Sequence, residues 1–247
     1  MYAKIKYKLG VAAVPFVRLL SRRPPLACSR RILLNRDVFL VTSTIAPSES
    51  PLAALPRRSS FSADERLDQT LGSIASIRAK VPGALIVLLE NSDLSAAHTR
   101  VLQNAVDWLV LFDRDPRSIF FRDHSNRGVG EAYMLRSIHD VLRSFDYRLL
   151  FKLSGRYRLS ERFSLDRFPQ DRFGFLHRDG VASTRLYSVP ACLHNLYGRQ
   201  LAAAFFAGRF GVSIESTITR GLTSSQLQWL DVLGVNGHMG GGQWLDE

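Results

Sequence analysis

The alternation of short apolar segments with helical segments over residues 37–154 limits the folds open to this chain more than any other feature. The apolar segments are each short enough for a buried strand: 37–43, 84–93, 109–113 and 147–154. Segments with helical periodicity separate them: 62–83, 95–108 and 130–145. The first of these helices opens on Ser62 and Glu65, which together form a capping box. This order predicts an α/β fold with a mostly parallel central sheet and helices on both faces.

The pattern is less regular outside these segments. Residues 46–63 are rich in Pro, Ser and Ala, which predicts a long loop. In the second half we expect one or two strands within 172–190 and helices over 191–208 and 214–230. The tail, 236–247, is rich in glycine and is either a mobile cover over a site or a loose end.

The positive charge of the chain is concentrated before its first acidic residue, Asp37. The formal net charge is +11 for 247 residues. Nine of the 33 Lys and Arg residues precede Asp37, and the other 24 are nearly balanced by 22 acidic residues. An enzyme that acts on nucleic acid usually spreads positive charge over its domain, so we expect no nucleic-acid partner. We therefore divide the chain into a basic leader, a domain and the tail: 1–35, 36–235 and 236–247.

The leader contains a short apolar run, 9–17, with basic residues on both sides. That run is far below the roughly 20 residues needed to span a bilayer. Such a segment is typical of an anchor on an anionic membrane surface, here through residues 1–36; a signal peptide or a frayed helix without function are the alternatives. The two cysteines, Cys28 and Cys192, cannot build a disulfide framework and indicate a reducing compartment. We predict a cytoplasmic protein at the inner face of a membrane.

Polar residues end the predicted strands, at the edge where α/β sheets bind their ligands. They are Thr42, Ser43, Glu90, Asn91, Ser92, Asp113, Ser154, Gly155 and Arg156. We expect the second and fourth strands to end side by side, with Glu90 and Arg156 facing one cleft. The Glu90 carboxylate could accept hydrogen bonds from a ribose or a base, whereas Ser92 could equally cap the next helix.

Two segments have the composition of a phosphate site. Residues 124–132 place Gly128 and Gly130 directly before a helix, whose first N–H groups attract anions, although such glycines also mark ordinary turns. The spacing is not that of a dinucleotide-binding fingerprint. At the end of the fourth strand, Lys152, Arg156 and Arg158 could neutralise a pyrophosphate or form only a solvated basic edge.

The order of these segments resembles that of GT-A glycosyltransferases, and more narrowly of bacterial and viral sugar transferases. The similar patterns are strand-T-S, R-x-x-Q-T-L-x-S-I-x-S-I-R, L-x-E-N-S, N-x-G-x-G-E and F-K-x-S-G-R-Y. They fall at Val38 to Ser43, Arg66 to Arg78, Leu88 to Leu94, Asn126 to Glu131 and Phe151 to Tyr157. The resemblance covers roughly residues 36–235 and implies one Rossmann-like GT-A domain that binds a nucleotide-sugar donor.

The resemblance also implies which residues bind that donor. They are Thr42, Ser43, Arg66, Glu90, Asn91, Ser92, Asn126, Arg127, Gly128, Glu131, Lys152, Ser154, Gly155 and Arg156. Many GT-A enzymes bind a metal through D-x-D, but Ser154 and Arg156 stand where those aspartates are expected. We therefore assign no metal ligand and no certain cofactor, since cationic side chains can supply the same electrostatic stabilisation. The D-x-D formed by Asp113 and Asp115 is the alternative site for Mg²⁺ or Mn²⁺.

A general base and an acceptor site complete the prediction. The resemblance places Glu215 where the family has a catalytic glutamate; a helix-terminal acid behind the cap Ser213 is the other interpretation. Asp179 is the second choice for the base. Arg185 and Tyr187 are expected to contact the acceptor or the sugar. The acceptor is predicted to be a glycan or a lipid-linked glycan, in the synthesis of a surface polysaccharide.

Two other functions compete with sugar transfer. A nucleotidyltransferase has a similar sheet but normally carries a glycine-rich loop after the first strand, where this chain reads TSTIAPSES. A non-catalytic, membrane-associated binding protein would use the leader as its working part. The sequence lacks the spacing of a zinc site, a G-x-S-x-G elbow and a P-loop, which disfavours other common enzyme classes.

Overall fold

A computed structural model of the chain describes residues 32–48, 59–143, 145–239 and 242–247. The predicted leader lies almost wholly outside these ranges, and so does most of the predicted loop over 46–63. Strand β1, Ile32–Ser43, begins before the boundary predicted at residue 36. Among the residues described, no helix combines the length and the apolar character that crossing a membrane requires.

The central sheet has eight strands in the order β3-β2-β1-β4-β8-β6-β7, with β9 paired to β6. The strands after β1 are Leu85–Glu90 (β2), Trp108–Leu111 (β3), Phe145–Ser154 (β4), Phe173–Arg178 (β6), Val181–Ala182 (β7), Leu186–Pro190 (β8) and Leu227–Leu230 (β9). Strands β3, β2, β1 and β4 are parallel, whereas β8, β6 and β7 continue the sheet in antiparallel pairs and β9 runs parallel to β6. The predicted α/β class is confirmed, with the parallel strands confined mainly to the first half.

Helices cover both faces of this sheet. They are Ala63–Lys80 (α1), Ala96–Ala105 (α2), Pro116–Arg122 (α3), Gly128–Leu142 (α4), His194–Gly208 (α5) and Ile214–Thr217 (α6), and two 3₁₀ turns cover Leu165–Arg167 and Ala191–Leu193. Residues of β1 alternate between two cores: Val38 and Leu40 pack with α4, α5 and α6, and Phe39 and Val41 pack with α1 and α2. The predicted arrangement of helices on both faces is therefore confirmed. The capping box that opens α1 is also formed by Ser62 and Glu65.

The second half departs from the sequence-based expectations. The helix predicted over 214–230 is wrong, because α6 is a single turn and Leu227–Leu230 is strand β9. The segment 172–190 contains three strands instead of one or two.

The glycine-rich tail is not a loose end where it is described, and Met239 within it lines a cleft described below. Its strands β10, Val235–His238, and β11, Trp244–Asp246, form a small sheet with β5, Tyr157–Leu159. Glycine is required at position 237, because an added Cβ would lie 2.2 Å from the Arg156 carbonyl oxygen. This close pairing fixes the turn between β4 and β5 at the edge of the central sheet.

Candidate active site

Two connected clefts open at the carboxyl edge of the parallel strands. The first chamber, about 790 Å³, is lined by Thr42, Ser43, Thr44, Pro47, Ser59, Arg66, Asn91, Arg122, Arg127, Gly130, Glu131, Met134, Ser154 and Arg156. The second chamber, about 1130 Å³, is lined by Arg127, Gly128, Glu131, Ser154, Arg156, Tyr157, Arg178, Asp179, Val181, Ala182, Ser183, Thr184, Arg185, Glu215 and Met239. Four residues belong to both chambers: Arg127, Glu131, Ser154 and Arg156. They form the junction at which two ligands could meet.

The floor of the first chamber is the loop after β1, which is bonded to the end of β2. The Thr44 hydroxyl donates to the Asn91 side-chain oxygen at 2.8 Å, and the Ala46 N–H donates to Ser92 Oγ at 2.9 Å. Glu90 Oε1 accepts from the Ile45 N–H at 3.2 Å and from the backbone and hydroxyl of Ser92. These bonds hold residues 44–46 against the end of β2.

Two predicted ligand contacts are corrected by this arrangement. The side chains of Glu90 and Ser92 are completely buried beneath the chamber, where they support the loop and do not line the cleft. Strands β2 and β4 also do not end side by side, because β1 lies between them. Arg156 lies in the cleft and Glu90 beneath it, so the two residues share an edge of the sheet without facing one another across a ligand space.

The first chamber concentrates positive charge. Arg66, in the first turn of α1, donates Nε and Nη2 to the Thr44 carbonyl at 3.3 and 3.0 Å. Burial, together with the charges of Arg156 and Arg127, lowers the pKa of Arg66 to about 9. An anion bound among these guanidiniums would relieve their mutual repulsion. The predicted residues Arg66, Arg127 and Arg156 are thus brought together.

An ion pair joins the junction to the wall behind it, between the partly exposed Glu131 and the buried Lys152. Lys152 is completely buried, and its ammonium group pairs with Glu131 and donates to Ser154 Oγ at 2.7 Å and to the Thr184 carbonyl at 2.6 Å. Thr42 donates its hydroxyl to Glu131 Oε1 at 2.7 Å. These bonds leave the Lys152 ammonium inside the wall, so its predicted direct contact with the donor is corrected.

The charge of each partner opposes the effect of burial on the pKa of the other. Burial lowers the pKa of Lys152, and the charge of Glu131 opposes that effect. Burial would raise the pKa of Glu131, but the Lys152 charge and the hydrogen bonds from Lys152 and Thr42 hold that pKa below its ordinary value. Lys152 can therefore act on a ligand at the junction only through its field and by orienting Ser154.

Asn126 and Gly155 shape the site without lining it. The Asn126 amide donates to the carbonyls of Gly208 and Val212 at 3.1 and 2.9 Å, and its oxygen accepts from the Gly128 N–H. The Gly155 N–H donates to the Thr42 carbonyl at 2.8 Å, at an approach where a Cβ would crowd that oxygen. Neither residue lines a chamber, and their contacts with a donor stay a prediction.

The second chamber contains the predicted carboxylates. Glu215 lies in the single turn of α6, capped by Ser213, and its Oε1 accepts from the Thr184 hydroxyl at 3.2 Å. It therefore occupies a helix terminus and also faces a ligand space, so the two interpretations are compatible. Asp179 lies at the rim, on the turn between β6 and β7, with a side chain that is 87% exposed.

The two residues predicted to contact the acceptor differ in their position relative to the second chamber. Arg185 lines the second chamber, but its guanidinium is already bonded to Glu247, Ser183 and the Tyr157 hydroxyl. Tyr187 is wrong as a contact residue, because it is completely buried and its hydroxyl bonds to that of Tyr197 at 2.8 Å. Tyr187 is the cross-strand neighbour of Lys152 and places its ring 6.0 Å from that ammonium.

Asp113 and Asp115, the alternative metal ligands, lie outside both chambers. Asp115 caps α3 through the Arg117 N–H and accepts from the Tyr133 hydroxyl at 2.5 Å, and neither aspartate lines a chamber. Within the described ranges, no group of three or more His, Cys, Asp or Glu side chains could hold a metal ion. Participation of Mg²⁺ or Mn²⁺ together with a bound donor stays a prediction.

The sequence did not single out several residues of the site. Thr44 follows the predicted strand end directly and could have been included by extending that rule by one residue. Arg122 reaches the first chamber from α3, and its Nη1 donates to the Asn91 carbonyl at 3.2 Å. Glu247 is buried and accepts from Arg178 at 2.6 Å and from Arg185 at 2.5 Å. No local pattern marks Arg122 or Glu247, because each is brought in by tertiary packing.

Comparisons with known proteins add little to this description. No protein-family model matches the sequence, and no curated protein matches it either. Among solved structures, the chain is similar to mouse xyloside xylosyltransferase 1 in its apo form, with a TM-score of 0.43 and 9% identity over 79% of this chain and 85% of that one. Similarity at that level says nothing about the chemistry of this chain, which has to come from its own residues.

Proposed function

We propose that this protein is a glycosyltransferase that moves a sugar from a nucleotide-sugar donor to a glycan or lipid-linked acceptor. The observation that carries the proposal is the junction, where Arg127 and Arg156 belong to both chambers while a carboxylate, Glu215, lines only the second. A negatively charged leaving group fits on one side and a hydroxyl acceptor with its base on the other. The resemblance of five sequence segments to GT-A enzymes supports the same assignment.

The donor occupies the first chamber in this proposal. Its nucleoside lies against the loop after β1, where Thr44 and Asn91 present polar atoms. Its diphosphate lies among Arg66, Arg127 and Arg156, beside the N-terminus of α4, which adds partial positive charge. Preorganised cations of this kind stabilise the charge that develops on a departing diphosphate. The buried Lys152 contributes its field from behind Ser154.

The acceptor occupies the second chamber. Its hydroxyl oxygen forms the new bond to the anomeric carbon, and the bond from that carbon to the diphosphate oxygen breaks with its electron pair leaving on the nucleotide. Glu215 takes the proton of the hydroxyl. General bases of this kind contribute roughly 10²–10⁴-fold in rate. The Thr184 hydroxyl, bonded to Glu215 Oε1, orients the carboxylate.

Release of free nucleotide tests the assignment. UDP-, GDP-, CMP- and dTDP-sugars are incubated with the full chain, with and without Mn²⁺, and nucleotide release is measured beside the thermal shift that each donor produces. We expect one base to be preferred. The variant Arg156→Ala should lower release by about a hundredfold, since it removes a charge contact to the leaving group. Arg158→Ala is the matched control, because Arg158 is exposed on β5 and lines neither chamber.

Three outcomes separate the competing functions. Release that depends on Arg156 supports sugar transfer. Production of pyrophosphate from a nucleoside triphosphate and a sugar phosphate would instead identify a nucleotidyltransferase. A thermal shift with no release from any donor, in the presence of glycan acceptors, would leave only a binding protein and contradict the proposal.

A further inference from the structure

A cluster of exposed apolar side chains lies on α3 and at the C-terminal end of α5. We call it the aromatic patch; it consists of Ile119, Phe120, Phe206, Phe210 and Val212. Eight large hydrophobic residues are exposed within the described ranges, and five of them belong to this patch. Phe120 and Phe210 are 67% and 60% exposed. Exposed apolar residues that are scattered singly over a surface are ordinary, whereas a cluster of them marks an interaction surface.

The two parts of the patch, on α3 and at the end of α5, are connected through Phe121, Phe205 and Arg209. The Phe120 ring contacts Phe121 with 5.2 Å between centroids, and Phe121 contacts the buried ring of Phe205 at 4.8 Å. The Phe206 and Phe210 rings pack at 5.2 Å. The Arg209 guanidinium joins the two groups, because it lies 5.3 Å from the Phe205 ring and 5.2 Å from the Phe206 ring. The exposed rings are therefore held by a shared framework and do not project independently.

Basic side chains surround these rings. Arg114, Arg117 and Arg136 are exposed, and the Arg136 guanidinium lies 5.6 Å from the Phe205 ring. The Asp115 carboxylate, bonded to the start of α3 and to Tyr133, offsets only one of these positive charges. Aromatic rings insert at the level of lipid head groups, and arginines beside them bind the phosphates of anionic lipids. The composition of the patch is complementary to such a surface.

The position of the patch connects it to the cleft. Asn126 bonds to the carbonyls of Gly208 and Val212, at the end of α5, and its neighbours Arg127 and Gly128 line the chambers. Ile214, on the next turn, would contact a side chain placed at Gly128. The end of α5, which carries part of the patch, is therefore bonded directly to the segment that lines the second chamber.

We propose that the aromatic patch inserts into the interface of an anionic lipid bilayer and holds the cleft next to it. A second part of the chain has the same preference, since residues 1–31 carry eight Lys and Arg and no acidic residue. The proposal concerns the folded domain, which would add insertion to the electrostatic attraction of the leader. If the proposed transfer is correct, this placement also suits a lipid-linked acceptor, whose reactive group lies near the head groups.

Fluorescence quenching by lipid tests insertion at the patch itself. The full-length variant Phe210→Trp is mixed with vesicles of phosphatidylcholine containing roughly 30–40% phosphatidylglycerol, an anionic content that attracts polybasic segments, with or without bromine on the acyl chains. The signal of the added tryptophan is the difference from the unchanged chain, which already contains three tryptophans. We expect this difference signal to shift to shorter wavelength and to be quenched by the brominated lipid. Val101→Trp is the control, because Val101 is 42% exposed on α2 and lies outside the patch.

A disruption experiment completes the test. The double variant Phe120→Ser/Phe210→Ser should lower partition into the same vesicles by at least tenfold, whereas Trp229→Ser, at another exposed site, should leave it unchanged. Nucleotide release from a water-soluble donor should be unaffected in both, which separates this proposal from the proposed function. The melting temperature confirms that the variants fold.

Two outcomes would overturn the proposal. In the first, the chain sediments with anionic vesicles, but brominated lipid quenches the tryptophan of Phe210→Trp no more than that of Val101→Trp. Such a result would mean that the leader binds the vesicles without the patch. The other is that the patch is covered by a second copy or another protein, which would appear as a larger mass in solution that Phe120→Ser/Phe210→Ser reduces to that of one chain, without vesicle binding.

Discussion

The two chambers differ in how they are built and in the charge they present. The first is formed by the ends of parallel strands and the helices that follow them. Its lining holds four arginines and one carboxylate, Glu131, which is itself paired with Lys152. The second is formed mainly by the antiparallel half and the C-terminal segment. Four arginines and three carboxylates line it: Arg127, Arg156, Arg178, Arg185, Glu131, Asp179 and Glu215.

This difference in charge suits the two chambers to different ligands. A chamber with a net positive charge suits an anion such as the proposed diphosphate. A chamber of mixed charge suits a neutral hydroxyl and allows a carboxylate such as Glu215 to accept a proton. The wall between them contains Lys152, which bonds to Ser154 on the shared junction and to the Thr184 carbonyl of the second chamber. Substitutions in that wall should therefore affect both chambers, whereas a substitution in the lining of one chamber should affect that chamber alone.

The largest effect is expected from Lys152→Met, in the shared wall. The substitution leaves the Glu131 carboxylate without its buried cation, and breaking such a pair costs about 3–5 kcal/mol. The free energy of unfolding, measured in urea, should fall by that amount. Glu131→Gln combined with Lys152→Met should recover part of it, because the stranded charge is gone. A loss below about 1 kcal/mol in the single variant would show that the pair is not buried as described.

The next largest effect distinguishes the chambers from each other. Glu215→Gln should slow transfer by roughly a hundredfold or more, because the base is lost. The thermal shift produced by the donor should stay as in the unchanged protein, since Glu215 lines only the second chamber. Asp179→Asn is the comparison variant and should have a smaller effect on transfer. Turnover that survives Glu215→Gln would remove this residue as the base.

The parallel half of the fold could largely be predicted from the sequence, whereas much of the antiparallel half could not. The four parallel strands and α1, α2 and α4 were expected close to where they lie, because periodicity and the Ser62 cap are local signals. Strand β9 was mistaken for helix, since four residues that pair with the distant β6 leave no local trace. The tail was misjudged for the same reason: its strands are stabilised by β5 and by contacts from Glu247.

Site prediction met a different limit. The rule for strand ends identifies the correct edge of the sheet but not which side chains point into a ligand space. Arg156, at a strand end, lines the cleft, as does Arg66, which the resemblance implied, whereas Glu90 turns beneath the cleft and bonds to Ile45. Tyr187 was misassigned because its antiparallel pairing with Lys152 was not foreseen, and that pairing places both side chains on a buried face.

A third prediction concerns the contact between the two halves, away from both chambers. The rings of His139 on α4 and His194 on α5 stack at 4.0 Å, and each bonds to the backbone carbonyl of the other. Burial and the proximity of His139 and Arg143 lower the pKa of His194 to about 4, against a weaker opposing effect of Asp140. Its other nitrogen bonds to the Tyr147 hydroxyl at 2.6 Å.

This lowered pKa should make the contact sensitive to acid. Between about pH 6.5, near the usual histidine pKa, and about pH 4, the unfolded chain binds a proton at His194 that the folded chain does not. The contribution of His194 to the free energy of unfolding is therefore fully present above this pH window. It declines by about 2 kcal/mol as the pH falls through the window. Urea titrations at a series of pH values measure the decline. His194→Gln should reduce it, and His177→Gln, at an exposed site, should not.

The smallest effect tests whether the first chamber depends on the helix that carries Arg66. The Ser62 hydroxyl oxygen accepts from the Glu65 N–H, and the Ser62 N–H donates to the Glu65 carboxylate. Glu65 directly precedes Arg66. Ser62→Ala should lower the free energy of unfolding by about 1 kcal/mol, and donor affinity should fall about twofold as the first turn loosens. Ser95→Ala removes the comparable cap of α2, whose residues line neither chamber. It should cost similar stability without changing donor affinity; an equal loss of affinity in both variants would mean that the chamber responds to general stability and not to the position of Arg66.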